Sequence, residues 1–424
     1  MYLEGARPFR IVIFIYHYFH YFSIDQLCLF PSSLPLQFPL TSIRLPLDHL
    51  LIAAVTDPAV AYFAAATIII YISFTTARSL LLFRSVSTIT RNMTTTIAKF
   101  AHLQIPLEDV VKATDNFHHD NIIGRGGLGH VYKGQLQQSG ELITISALRL
   151  DRKHGGGVVE FWTELSMLSD LKHPNIVSIV GFCDEKHEKI IVTTYEAKNG
   201  SLKEHLNSPN LTWTQRLKIC VGVARALSYL HYDEGRGYGV IHLNVNSSTI
   251  LLDENWEPKL SGFKVSIKQS LNRMDQVVLS EPIGTIGYID PEIGKTKGVT
   301  CKSDIYAFGV VLFEILCGRI AYIRNDANRL LAPLVMQHYE NETLPDIIHP
   351  DLKNQMSGYQ ISVRSLIIYS ETAYSCLKEE RSHRPYMLNI VNRLEKALEK
   401  ALKFQPRLEY FVRPFLFFCF SLGL

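Results

Sequence analysis

Apolar and polar positions follow two different textures along this chain, and the change comes near Leu103. Before it, apolar residues run together without a period. Ile11–Phe22, behind Arg7 and Arg10, has the charge-then-apolar order of a secretory leader, but no small-residue cleavage site follows it. Residues 23–58 are rich in Pro and Leu and show no repeat. Ala59–Ala77 then gives 19 uncharged residues between Pro58 and Arg78, long enough for a transmembrane helix. Arg78, Arg84, Arg91 and Lys99 follow, which would put the C-terminal part on the cytoplasmic side. Two other readings stay open for residues 1–92: a buried hydrophobic helix, or sequence outside the natural folded product.

Beyond Leu103 the periods become regular. Leu107, Val110, Val111 and Ala113 lie at helical spacing. The segments 171–183 and 190–202 hold continuous apolar runs bounded by Pro, Asn and Gly, as strands buried against a core do. Leu217, Cys220, Val221, Ala224 and Leu227 predict a long amphipathic helix over Trp213–His231. Ser303–Cys317 is apolar nearly all round and is expected as a central helix. Residues 388–403 read as a closing helix, and the apolar ending beyond it has no functional account.

Length and composition narrow the field modestly. A chain of 424 residues allows two or three domains. With 43 basic and 40 acidic residues it lacks the basic excess that nucleic acid would attract. Its seven cysteines are an odd, dispersed set without a C-x-x-C, which argues for a reducing compartment and against a structural zinc.

The chemistry-bearing stretches come in a fixed order. Gly124-x-Gly126-x-x-Gly129-x-Val131 sits in 121–134, with apolar residues before it and a strand, Val131-Tyr132, after it. Glu160–Leu168 reads as a helix, and Asn199-Gly200-Ser201-Leu202 closes the second apolar run. The stretch 239–266 carries His242, Asn244, Thr249 and Ser261-Gly262-Phe263. Then come 284–292 (GTIGYIDPE), 303–309 (SDIYAFG) and 381–387 (RSHRPYM). Together these motifs, over roughly 105–400, resemble the protein kinases, and most nearly the plant receptor-like and receptor-like cytoplasmic kinases.

The resemblance implies an α+β, two-lobed kinase fold: a small strand-rich lobe with one main helix, a hinge, and a larger helical lobe. The organisation expected is a hydrophobic region 1–92, a juxtamembrane segment 93–117, a kinase-like domain 118–397 and an apolar tail 398–424. A nucleotide would lie against Gly124, Gly126, Gly129 and Val131, the gatekeeper Thr194, the hinge residues Tyr195 and Ala197, and Leu251. Structural positions carried over are Glu164, Leu168, His242, Phe263, Glu292, Asp304 and Arg384. Arg384 is expected to pair with Glu292, and Asp304 to cap its helix and bind the catalytic-loop backbone.

The positions that do chemistry depart from the pattern. Asn244 stands where the family has its catalytic Asp, Thr249 at the second metal ligand and Gly262 at the magnesium-binding Asp. Aligning Ile145–Leu148 on the family's V-A-I-K puts Leu148 at the phosphate-binding lysine. Arg149 should point to the other face of the strand, unless a one-residue bulge turns it inward. Glu164 is then left without its cation, and a solvated carboxylate on a helix face is the preferred reading. Leu243 replaces the arginine that would receive an activation-segment phosphate, although Thr285 stays open to modification by another kinase.

These departures point to a pseudokinase acting as scaffold or allosteric partner of other protein kinases or signalling proteins. ATP would bind weakly and Mg²⁺ would not bind normally. The place expected is the plasma membrane, with the kinase-like domain facing the cytoplasm, or the cytoplasm itself. The alternatives are an active serine/threonine kinase with an atypical site using Arg149 and carboxylates such as Asp253, or a degenerate copy with no selected role.

Overall fold

A computed structural model describes residues 99–126, 129–151, 157–209, 211–280, 283–357 and 361–404. The candidate span 59–77 lies outside the described residues, as does 405–424. Among the described residues no helix is long and apolar enough to cross a membrane.

The alternating apolar residues of the first half form one antiparallel sheet. Its strands are β1 (Ile122–Gly126), β2 (Gly129–Gln138), β3 (Glu141–Leu150), β4 (Ile179–Glu185) and β5 (Glu188–Thr194), in the order β1-β2-β3-β5-β4. Period-two alternation gives the sheet two apolar faces. One is covered by helix α1 (Leu107–Ala113), where Val110 meets Ile145, Ala147 and Val192. The other takes helix α2 (Val158–Asp170), whose Phe161, Leu165 and Leu168 join Phe182 and Ile191 in the main core. Gly129 is dictated by this sheet. A Cβ there would lie 2.0 Å from the Arg149 carbonyl oxygen on β3, at a φ of +153°.

After the hinge, short α3 (Leu202–His205) leads to α4 (Trp213–Tyr232), the expected amphipathic helix. Thr212 and Gln215 start it with a capping box. The strand pairs β6 (Tyr238–Ile241) with β9 (Ile267–Ser270), and β7 (Ile250–Leu252) with β8 (Pro258–Leu260), carry the stretch 239–266. A third pair, β10 (Val278–Leu279) with β11 (Gly298–Val299), flanks α5 (Glu292–Thr296). Helix α6 (Cys301–Cys317) is buried over nearly its whole length, as an all-apolar segment must be. Its cap is Thr300, with Ser303 completing the box; Asp304, expected to cap, is used elsewhere. Helices α7 (Leu331–Glu340), α8 (Pro350–Ser357), α9 (Val363–Cys376) and α10 (Met387–Leu402) complete the helical lobe. Arg216 of α4 is wholly buried and donates to the carbonyls of Leu206, Leu211 and Ile315, which ties three segments together. The five described cysteines are all unpaired.

Candidate functional site

The stretch 239–266 is held from below by one carboxylate. Asp304, 1% exposed, accepts from the main-chain N–H of His242 and of Leu243, each at 2.8 Å, and lies 2.9 Å from His231 Nε2. Leu243 takes a left-handed φ of +62°, and these bonds fix it there. His242 packs edge-on against Phe263, ring centres 4.6 Å apart, and Leu168 is buried in the same core as Phe263. Burial lowers the His242 pKa to about 4, so its ring is neutral at physiological pH.

Above that support lies a floor without charge. Asn244 Nδ2 is 3.4 Å from the Gly262 carbonyl, and Thr249 donates to the Asn244 carbonyl at 2.9 Å. Gly262 adopts φ +85°, and a Cβ built on it would come 3.0 Å from Thr249 Cγ2 and 3.1 Å from Asn244 Nδ2. The three replacements therefore fill one another's space. Hard cations such as Mg²⁺ require carboxylate or carbonyl oxygens in fixed octahedral positions. Gly262 supplies no ligand atom, the Thr249 hydroxyl is bonded to the Asn244 and Asn246 carbonyls, and Asn244 Oδ1 accepts from Thr285 at 3.1 Å and from Asn246 at 3.2 Å, so these residues do not fit the magnesium that the fold implies. The described His/Asp group able to converge on an ion, His118, His119 and Asp120, is exposed near the start of the sheet.

The sheet side of the cleft is apolar as well. Strand β3 pairs with β2 and β5 in continuous register and carries no bulge. Leu148 sits opposite Val131 and packs against the main core. Arg149 lies on the far face, with its guanidinium bonded to Glu188 at 2.6 and 3.0 Å and 4.1 Å above the Phe117 ring. The bulge that would bring Arg149 into the cleft is absent from this strand. Glu164 also differs from expectation: it is 7% exposed, not solvated. Burial raises its pKa, opposed in part by the nearby main-chain amides of Phe263, Gly262 and Lys264 and by the Lys264 charge. Asp253 accepts the amides of Asn255 and Glu257 and so closes a turn.

At the hinge, Thr194 donates to Glu196 at 2.6 Å. The Tyr195 N–H donates to the Thr144 carbonyl, and the Ala197 carbonyl accepts from Gly200. Among the described residues, nothing bonds the Tyr195 carbonyl or the Ala197 N–H. Val131 and Leu251 are half-buried. Gly124 lies in the middle of strand β1 and Gly126 ends it, and a Cβ at Gly126 would meet nothing within 4 Å.

The expected Arg384–Glu292 pair is not formed. Arg384 bonds Asp290 Oδ1 at 2.8 Å, while Arg381 bonds Asp290 Oδ2 at 2.8 Å and receives Glu292 on its main-chain N–H at 3.0 Å. Asp290 lies two residues earlier in the chain and faces both guanidinium groups, leaving Glu292 at their edge. Burial raises the Asp290 pKa, but the bonds and charges of Arg384 and Arg381 outweigh it and the net shift is downward. Sequence reasoning missed Asp290 and Arg381, although the R-x-x-R spacing signals a second cation. It also missed Glu314, which accepts from Tyr288 at 2.7 Å and from the Ala321 amide at 2.8 Å. Ser247 lies 3.1 Å from the Tyr288 hydroxyl and extends this network into the stretch 239–266. Burial pushes the Glu314 pKa up to about 7 against those bonds, and Glu314 Oε2 has no partner among the described residues.

Comparison with known proteins agrees with this architecture. Residues 117–394 match the family model described as protein tyrosine and serine/threonine kinase. A probable receptor-like protein kinase of Arabidopsis thaliana is 40% identical over 305 residues, 70% of this chain and 35% of that protein. The receptor-like protein kinase HERK 1 of the same plant is 39% identical over 72% of this chain and 36% of its own length. ANXUR2, also from Arabidopsis thaliana, is 39% identical over 69% of this chain and 33% of its own. The chain thus spans about a third of the length of these relatives. It belongs to the protein tyrosine and serine/threonine kinase family, with a kinase domain of the plant receptor-like type.

Proposed function

We propose that the chain is a receptor-like pseudokinase, a kinase-shaped signalling module that works through partner kinases and does not transfer phosphate. The observation that carries this reading is the closed floor, where Thr249 and Asn244 occupy the space a side chain at 262 would need. Phosphoryl transfer depends on metal, lysine and a base at fixed positions. Asn244 has no basicity near neutral pH, and losing a general base alone costs about 10²–10⁴ in rate. Arg149 and Asp253, the groups an atypical kinase would recruit, are engaged elsewhere. With basic residues following 59–77, the plasma membrane with this domain on the cytoplasmic side is the place the reading favours.

The test is transfer of labelled γ-phosphate from ATP by the purified full chain, with Mg²⁺ or Mn²⁺, to itself and to a generic Ser/Thr substrate. Incorporation equal to that of the heat-denatured chain is expected. Turnover above that background would overturn the proposal.

A further inference from the structure

Outside the cleft, between α1 and β1, His118 caps a short 3-10 turn formed by His119–Asn121. The side chains of His118, His119 and Asp120 are exposed, and a donor atom from each lies within 4.8 Å of the other two. One carboxylate serves both rings. Asp120 Oδ1 is 3.0 Å from His119 Nε2, and Asp120 Oδ2 is 3.5 Å from His118 Nδ1. The ring centres are 4.4 Å apart. The Asp120 N–H donates to His118 Nδ1 at 3.4 Å, so that nitrogen carries a lone pair, and so long a bond is easily exchanged.

These separations are close to those that a metal ion imposes. At ordinary zinc–nitrogen and zinc–oxygen distances, two ligands of a tetrahedral ion stand about 3.3 Å apart. The two imidazole–carboxylate separations fall on either side of that value. The imidazole nitrogens need to approach by about 1.5 Å at most, a small swing for exposed rings. By contrast, His383 meets Glu380 at 3.5 Å with no third donor among the described residues.

The main chain beneath the cluster is held in place. Asp115, Asn116 and Phe117 take left-handed φ values of +50°, +53° and +54°. Buried Thr114 accepts the Phe117 N–H on its hydroxyl, and its carbonyl accepts from His118 N–H and Asn121 Nδ2. The Phe117 ring packs edge-on against Tyr132 of β2 and lies 4.1 Å beneath the Arg149 guanidinium of β3. Ligands on such a footing lose little freedom when they bind. Two imidazoles and one carboxylate suit zinc and its first-row neighbours, whereas Mg²⁺ and Ca²⁺ call for oxygen shells. Exposure leaves the remaining coordination position to water.

We propose that His118, His119 and Asp120 bind one divalent transition-metal ion of the zinc class, and that the ion clamps the turn leading into β1. The site uses no residue of the cleft and stands whether or not the chain transfers phosphate.

Isothermal titration of the full chain with Zn²⁺, its cysteines kept reduced, tests the proposal. The wild type is expected to take up one equivalent that His119→Gln and Asp120→Asn each weaken about tenfold or more. His383→Gln should leave that equivalent unchanged, and Mg²⁺ should not compete for it. Because the chain holds 16 His and seven Cys, hydrogen exchange locates the ion. Saturating Zn²⁺ should slow exchange across 118–122 in the wild type and not in His119→Gln. Zinc-free melting curves that match the wild type report that the variants fold, as substitutions of exposed side chains should. No zinc uptake, equal affinity in the wild type and both ligand variants, or zinc protection that spares 118–122 would overturn the proposal.

Discussion

Asp304 grips the chain at His242 and Leu243, and the next residue, Asn244, begins a floor from which every charge has gone. The node below and the floor above are neighbours in one loop, yet they have been treated differently. In the node, and in the Asp290–Arg381–Arg384 cluster, buried ions keep partners at 2.8–2.9 Å. In the floor the ions are replaced by groups that pack on each other. A buried charge that holds main chain in place is needed whether or not a reaction follows, because removing it leaves its partners unsatisfied. A charge that serves only a metal or a proton transfer has no such second duty. The contrast is one between geometry and chemistry.

The sharpest way to break it is Asp304→Ala, which strands two buried amides and His231. A loss of about 3–5 kcal/mol is expected from urea unfolding; a cost below about 1 kcal/mol would mean the node does not hold the loop. Asp290→Asn comes next, with about 3 kcal/mol lost as Arg384 keeps only neutral acceptors and Arg381 only Glu292, 3.5 Å away, as a charged one. The Asp290 pKa is depressed in the folded chain, so its contribution is present above the unfolded value near 4. It disappears as pH falls through the lower folded value. Urea midpoints between pH 6 and pH 3 should therefore fall in the wild type and fall less in the variant.

Turning to the floor, Gly262→Asp imposes a φ of +85° on a branched side chain and drives its Cβ against Thr249 and Asn244. It should cost about 1–3 kcal/mol and give no Mg²⁺-dependent rise in Tm, with Thr249→Ala restoring part of the loss. A rise in Tm with Mg²⁺ would show that the floor reopens for a metal. The smallest effect is expected at Glu314, whose folded pKa is raised by burial from its ordinary value of 4.5 to about 7. The folded chain holds that proton longer than the unfolded chain, so stability declines as pH rises from about 4.5 to about 7. Glu314→Gln should remove this decline and gain about 1 kcal/mol at pH 8, read from thermal melts across that range.

Much of this was legible from the chain alone, for identifiable reasons. The order of motifs gave the two-lobed body, because each motif is tied to one element of it. Strict alternation along Ile145–Arg149 sent Leu148 toward the cleft and Arg149 away, and the paired strands agree. Glu164 was misjudged because the fold buries it beside Gly262, Phe263 and Lys264, a stretch distant in the chain that local helical spacing does not announce. Arg384 was matched to Glu292 when Asp290, two positions earlier, lies closer; spacing alone does not choose between acids on one turn. The mutual packing of Asn244, Thr249 and Gly262 joins positions 18 and 13 residues apart and required coordinates.

The burial of Glu164 beside Gly262, Phe263 and Lys264 reaches further than the cleft. Where a helix is drawn inward by a lysine side chain, its posture can be tuned by whatever competes for that lysine. Here Leu148 stands in that place, and α2 is seated by Phe161, Leu165 and Leu168 in the main core. A protein docking against its outer surface would meet a helix whose posture is set by hydrocarbon packing.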